Sequence, residues 1–164
     1  MRRRTPRLAA GQGSGPPDRV EREGIVPEPQ QRRRPKILLL ATSACAYPGA
    51  DYVGQTHSEY PASTYIIRVP TPSVFSEDFY LRCFEKGIDG IIAMSCGQEC
   101  PYPGAYERFA ERIGRAHALM KERGLDPKRL RATAICTVCA RAFLKEVQDM
   151  MRLLEGNAHE SVTT

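Results

Sequence analysis

Five of the six cysteines in this 164-residue chain fall into three groups: Cys45 alone, Cys96 with Cys100, and Cys136 with Cys139. A cysteine does chemistry as its thiolate, which is both a nucleophile and a soft metal ligand. The CxxxC at 96–100 and the CxxC at 136–139 supply four sulfurs, enough for tetrahedral zinc or for an iron–sulfur cluster. Spacing alone does not separate those two, but the cysteine ladder of a standard ferredoxin is absent. The CxxC by itself also fits a thioredoxin-like dithiol, and buried structural thiols remain a fourth reading. A disulfide framework is not expected, because nothing marks the chain as secreted. Cys83 lies four residues after Phe79 on a helical pattern and is read as core packing.

One short phrase occurs twice. Residues 45–50 read CAYPGA and residues 100–105 read CPYPGA. Both copies are read as one device: a cysteine in a turn, an aromatic ring shielding it, and Pro-Gly reversing the chain. A helix N-terminus would follow, whose free N–H groups favour sulfur anions.

The elements around these groups are legible from hydrophobic pattern. KILLLA (36–41), STYIIRV (63–69), GIIAM (90–94) and LRATAI (130–135) read as strands, the first aliphatic enough to be buried on both faces. A helix is predicted from Ser76 to Gly87. A second places Phe109, Ile113, Ala116 and Met120 on one face and stops at Gly124. The last carries Phe143, Leu144, Val147, Met151 and Leu154 and stops at Gly156; a further helix is expected over 49–59. Alternating strands and helices imply an α/β, doubly wound, flavodoxin-like domain of about four parallel strands with helices on both faces. All five grouped cysteines then follow strand ends at one sheet edge, where such folds bind ligands.

Composition narrows the function classes. The chain has 24 basic and 19 acidic residues; nine Arg and four acids lie in residues 1–35, leaving 15 of each elsewhere. The basic surplus therefore belongs to an Arg/Pro-rich tail, residues 1–34, read as disordered. With no clustered charge on the folded part, nucleic acid is not an expected partner. The GQGSG at 11–15 follows no strand and is not a phosphate loop. No export signal or membrane span is read, and a cytoplasmic protein is expected. His57 and His117 fall on predicted helices and His159 in a frayed end at 157–164; none is assigned as a ligand. No nucleophile–base pair is found.

From Pro35 to about Gly156 the chain resembles the delta subunit of methyl-viologen-reducing hydrogenase (MvhD), also called the hydrogenase iron–sulfur subunit. The resemblance rests on Cys45-Ala-Tyr47 running into Gly49-Ala-Asp51, on Ile67-Arg68-Val69, on Asp89-Gly90, on the Cys96/Cys100 loop with Tyr102, Gly104 and Tyr106, and on Gly124-Leu-Asp-Pro127. It implies an electron-transfer subunit without chemistry of its own, carrying a [2Fe–2S] cluster. Electrons would pass between a hydrogenase or formate dehydrogenase and the flavin-containing A subunit of heterodisulfide reductase, in flavin-based electron bifurcation. Asp51 and Arg68 match the family and are given structural roles; Tyr47 and Tyr102 are candidates to line the cluster.

The cysteine set departs from the family's. Thr42 and Thr71 stand where the family usually has cysteines, the 96–100 loop is one residue shorter, and Cys136 and Cys139 are additional. Two ligands lost and two gained at one edge imply a site kept on a changed ligand set. Cys96, Cys100, Cys136 and Cys139 are favoured, with Cys45 a substitute or a neighbour, and a [4Fe–4S] cluster is open to that set. The competing functions are a zinc-binding interaction module on the same fold and a thiol–disulfide oxidoreductase using Cys136 and Cys139.

Overall fold

The computed structural model describes residues 33–160, with side chains to Gly156. Most of the expected tail, residues 1–32, and the last four residues lie outside the described residues. Arg33 is described, and its guanidinium pairs with Asp89 at 2.9 Å. The other carboxylate oxygen of Asp89 accepts from the Lys36 amide.

Four parallel strands form one sheet: β1 (Ile37–Thr42), β2 (Thr64–Val69), β3 (Gly90–Ser95) and β4 (Leu130–Ala134), in spatial order β2-β1-β3-β4. Four helices connect and follow them: α1 (Ala46–Gln55), α2 (Glu77–Glu85), α3 (Ala105–Glu122) and α4 (Ala140–Glu160). This is the doubly wound, flavodoxin-like arrangement expected from the pattern. Ile37, Leu39 and Ala41 of β1, with Ile92 and Met94 of β3, pack under α1 and α4. Leu38, Leu40, Ile91 and Ala93 point the other way, under α2 and α3. Every residue of β1 and β3 is buried, which is why their sequences are runs rather than alternations. The predicted faces hold: Phe109, Ile113, Ala116 and Met120 are buried on α3, as are Phe143, Val147, Met151 and Leu154 on α4.

Three details differ from the sequence reading. The first helix starts at Ala46 rather than 49, with Pro48 inside its first turn, where the missing N–H is one the helix would not use. It ends before His57, which takes a left-handed φ of 53° while Ser58 N–H bonds the Val53 carbonyl; His57 is thus a helix-terminating residue, not a helical one. And α4 continues through Gly156 to Glu160, since one glycine costs a helix only about 1 kcal/mol. On the outer strand β2, Tyr65 and Ile67 remain 51% and 46% exposed, so α2 and α3 leave their face of that strand uncovered, while Ile66 on the other face packs against the core under α1 and α4. No helix among the described residues is long and apolar enough to cross a membrane.

Candidate metal centre

The two central strands and β4 deliver the cysteines to one place. The Thr42 hydroxyl donates to the Met94 carbonyl, tying the ends of β1 and β3 together. Ile135 N–H bonds the Ser95 carbonyl, so the residues that follow, Cys136 and Cys96, leave the sheet side by side. The Ser95 hydroxyl accepts from Gly97 N–H and folds the 96–100 loop back over the strand end. Around these ends is a cavity of about 400 Å³ lined by Ala44, Cys45, Cys96, Glu99, Pro101, Ala134, Ile135, Cys136, Thr137 and Cys139. It opens at the carboxyl ends of β1 and β3, where the winding changes direction and such folds place ligands.

Four of the five grouped cysteines line this cavity, and the fifth, Cys100, lies beside Cys96. Cys96 also contacts Cys45. Burial first, and then Cys45 and Cys100 beside it, push the Cys96 thiol up to about 12. The metal-free site therefore holds Cys96 as a neutral thiol, and a cation in the cavity reverses that preference. Among the described residues no group of three or more His, Cys, Asp or Glu side chains is drawn together closely enough to hold a metal ion. What the strand ends share is an open recess whose wall mixes sulfur, Glu99, Thr137 and small apolar side chains. The expectation of no disulfide is corrected, because Cys136 and Cys139 are bonded to each other. They are only three residues apart, at the head of α4, so secretory-type long-loop stapling is not what joins them.

The repeated phrase does not form the same device twice. In the first copy Cys45 is the residue before α1, and Tyr47-Pro48-Gly49-Ala50 are all helical. In the second, Cys100 ends a short 3-10 turn (Gly97–Glu99), Tyr102 to Gly104 form a turn, and Gly104 enters α3 at φ 66°. Only the second Pro-Gly reverses the chain. Gly49 serves another purpose: a Cβ there would lie 3.2 Å from the Cys136 carbonyl oxygen, so glycine lets the CxxC loop rest on α1. Neither tyrosine shields the cysteines. Tyr47 lies under the Arg68 guanidinium, 5.1 Å from its ring centroid, and lines a separate cavity with Asp51 and Tyr60. Tyr102 projects into solvent.

The remaining residues singled out from sequence fall into structural places. Thr42 and Thr71 are buried at the ends of β1 and β2; Thr71 accepts from Ser73 N–H and caps a 3-10 turn (Pro72–Val74). Both hydroxyls are thus held by backbone groups, Thr42 by the Met94 carbonyl across the sheet and Thr71 by the Ser73 N–H beside it. Arg68 donates to the Ser43 hydroxyl, and Asp51 accepts from Gln55. The His117 ring bonds the Leu130 carbonyl, and Cys83 packs against the α2–α3 core, as expected of it. Two contributors were missed. Glu99 puts a carboxylate on the cavity wall, and Gly49 sets the seat of the CxxC loop. The signal for Glu99 was its place between Cys96 and Cys100; nothing in the sequence marks Gly49's contact.

A model of the methyl-viologen-reducing hydrogenase delta subunit family matches residues 37–156. The chain is similar to the iron-sulfur D subunit of the F420-non-reducing hydrogenase of Archaeoglobus profundus, 30% identical over 98 residues, covering 59% of this chain and 72% of that one. It is also similar to the iron-sulfur D subunit of the vhu F420-non-reducing hydrogenase of Methanocaldococcus jannaschii, 28% identical over 122 residues, covering 74% and 91% respectively. The A subunit of ferredoxin:CoB-CoM heterodisulfide reductase from Methanosarcina mazei matches at 28% over 122 residues, 74% of this chain but only 15% of that much longer one. The family match spans all four strands and all three cysteine groups, and the chain belongs to the methyl-viologen-reducing hydrogenase delta subunit family.

Proposed function

We propose that this chain is an iron–sulfur electron-transfer subunit. It relays electrons between a hydrogenase or formate dehydrogenase type module and a flavin-containing partner resembling the A subunit of heterodisulfide reductase. The observation that carries the reading is the convergence of Cys45, Cys96, Cys136 and Cys139 on one cavity from three separate strand ends, with Cys100 against Cys96. These five are the pool from which the four ligands come. The names of the hydrogenase relatives, which include the words "iron-sulfur", support the same cofactor. A [2Fe–2S] cluster is the favoured occupant, and the enlarged cysteine pool also suits a [4Fe–4S] cluster.

The cluster supplies a one-electron carrier; the chain supplies its seat. The strand ends hold the sulfurs in fixed relation, because β1 and β3 are buried along their whole length and cannot shift without disrupting both cores. Ala44, Ala134 and Ile135 supply apolar patches of the cavity wall and Glu99 a carboxylate, and polarity around a cluster is one of the levers on its potential. The partner assignment is supported by the two contexts in which similar sequence occurs. It stands as a separate hydrogenase subunit in one set of relatives and lies inside a longer heterodisulfide reductase chain in another. A domain that is covalently attached in one system and separate in the other is suited to dock on that chain. The test is electron delivery. The anaerobically purified chain, reduced and mixed with a flavoprotein of the heterodisulfide reductase type, is expected to regain its visible absorbance as the flavin bleaches. A coloured, reducible chain that leaves the flavin oxidised would remove the partner, and a chain that never acquires colour would remove the cofactor.

A further inference from the structure

We propose that Cys136 and Cys139 form a thiol–disulfide exchange site, reduced by small-molecule or protein dithiols, whose oxidation state sets whether the cavity can take up iron. The coupling to iron rests on the function proposed above; the exchange chemistry does not.

The pair is bonded in the structure, with its Cα atoms 5.2 Å apart, inside the range a disulfide needs. It does not serve as a staple for the fold, because stabilisation grows with the length of the closed loop and this one is among the shortest. Its two sulfurs occupy unlike surroundings. Cys136 is exposed, and Val138 beside it, at 75%, is the most exposed large apolar residue among those described. Cys139 is half-buried at the head of α4, where its carbonyl accepts from Phe143 N–H and its own N–H bonds the Cys136 carbonyl. Cys45, by contrast, is buried, and Cys96 and Cys100 are half-buried free thiols. Of the five sulfurs at this edge, Cys136 is the one that an incoming thiolate reaches most easily.

The exchange follows from that asymmetry. A thiolate of the dithiol attacks the Cys136 sulfur, forming a mixed disulfide and releasing Cys139 as a thiolate at the N-terminus of a 21-residue helix, which favours the anion. The second thiol of the reductant, once deprotonated, displaces Cys136 and leaves as the oxidised disulfide. Two electrons and two protons pass from the dithiol to the pair. A low-molecular-weight disulfide such as oxidised glutathione runs the sequence backwards. With the pair closed, the cavity wall presents Cys45 and Cys96 as its free sulfurs; with it open, it presents four.

The test uses the full chain, freed of metal by a chelator and held in glutathione or dithiothreitol redox buffers. Differential alkylation read by peptide mass follows each cysteine, and iron and sulfide uptake is measured in parallel. Cys136 and Cys139 are expected to lose reactivity together in oxidised glutathione and to regain it in dithiothreitol. The closed form is expected to lose iron and sulfide uptake, and dithiothreitol to restore it. Failure of the pair to close, or closure at other cysteines, would overturn the exchange site even if the reduced chain binds iron. Reversible closure with equal iron uptake by both forms would overturn the coupling. Reversible closure in a chain that takes up no iron in either form would sustain the exchange site and sink the iron–sulfur reading.

Discussion

The two CxYPGA segments carry nearly the same six residues to different ends. At 45–50 the phrase runs straight into a helix, and its glycine is used for what it lacks: a Cβ that would press on the Cys136 carbonyl. At 100–105 the phrase is a turn, and its glycine is used for what it permits, a left-handed backbone at the entrance of α3. The cysteines differ too, Cys45 being buried and Cys100 half-buried, yet both touch Cys96. Local sequence allows both outcomes, because proline is tolerated in a helix's first turn as well as in a turn before it. The surroundings decide. Cys45 lies three residues past β1, at the start of α1 and on one cavity wall with Cys136, whereas Cys100 lies five residues past β3, beyond a 3-10 turn.

Substitutions at the two glycines separate these roles. Gly49→Val is expected to cost about 2 kcal/mol by overpacking against a backbone oxygen, and to lower iron content because the CxxC loop is displaced. Gly104→Ala is expected to cost about 1–2 kcal/mol from its left-handed φ, with iron content kept, since the only atoms near its Cβ belong to the flexible end of Arg108. Urea denaturation and iron analysis of both variants check the contrast. Equal iron loss in the two would mean that Gly49 has no special contact.

The far ends of the helices extend the comparison. Helix α3 stops at Gly124 with φ 70°, while α1 stops at His57 in the same left-handed region. His57→Gly is expected to stabilise the protein by roughly 0.5–1 kcal/mol, the left-handed penalty less the extra entropy a glycine loses. An unchanged or lowered denaturation midpoint would show that the His57 side chain contributes something its exposed position does not suggest. Smallest, because Cys96 is only partly shielded from solvent, is a pH effect at the thiol where the two copies meet. Its pKa is raised on folding from 9 to about 12, so the stability linked to the neutral thiol is full below pH 9 and is lost as pH rises toward 12. Midpoints of the metal-free, reduced protein should fall across that window, and Cys96→Ala should flatten the fall.

The four strands and the buried faces of α3 and α4 were legible because period and run length report burial directly. Residues such as Leu39 and Phe109 announce their places. The cysteine edge was legible for a topological reason, since parallel strands bring all their following loops to one side. What was not legible depends on contacts between loops distant in sequence. Gly49 reads as half of a turn until Cys136 is placed against it, and Tyr47 reads as a cluster shield until Arg68 covers it. Likewise, the aromatic and β-branched run at β2 signals a strand but not that Tyr65 and Ile67 lie past the reach of the helices.

The cofactor is the claim on which the function rests most heavily. Iron, zinc and acid-labile sulfide should be measured in the anaerobically purified chain, together with its visible and EPR spectra. About two irons and two sulfides per chain with a reducible signal are expected, or about four of each if Cys136 and Cys139 have enlarged the cluster. One zinc per chain without sulfide, persisting after reconstitution with iron and sulfide under reducing conditions, would contradict electron transfer and leave a zinc-bound interaction module in its place.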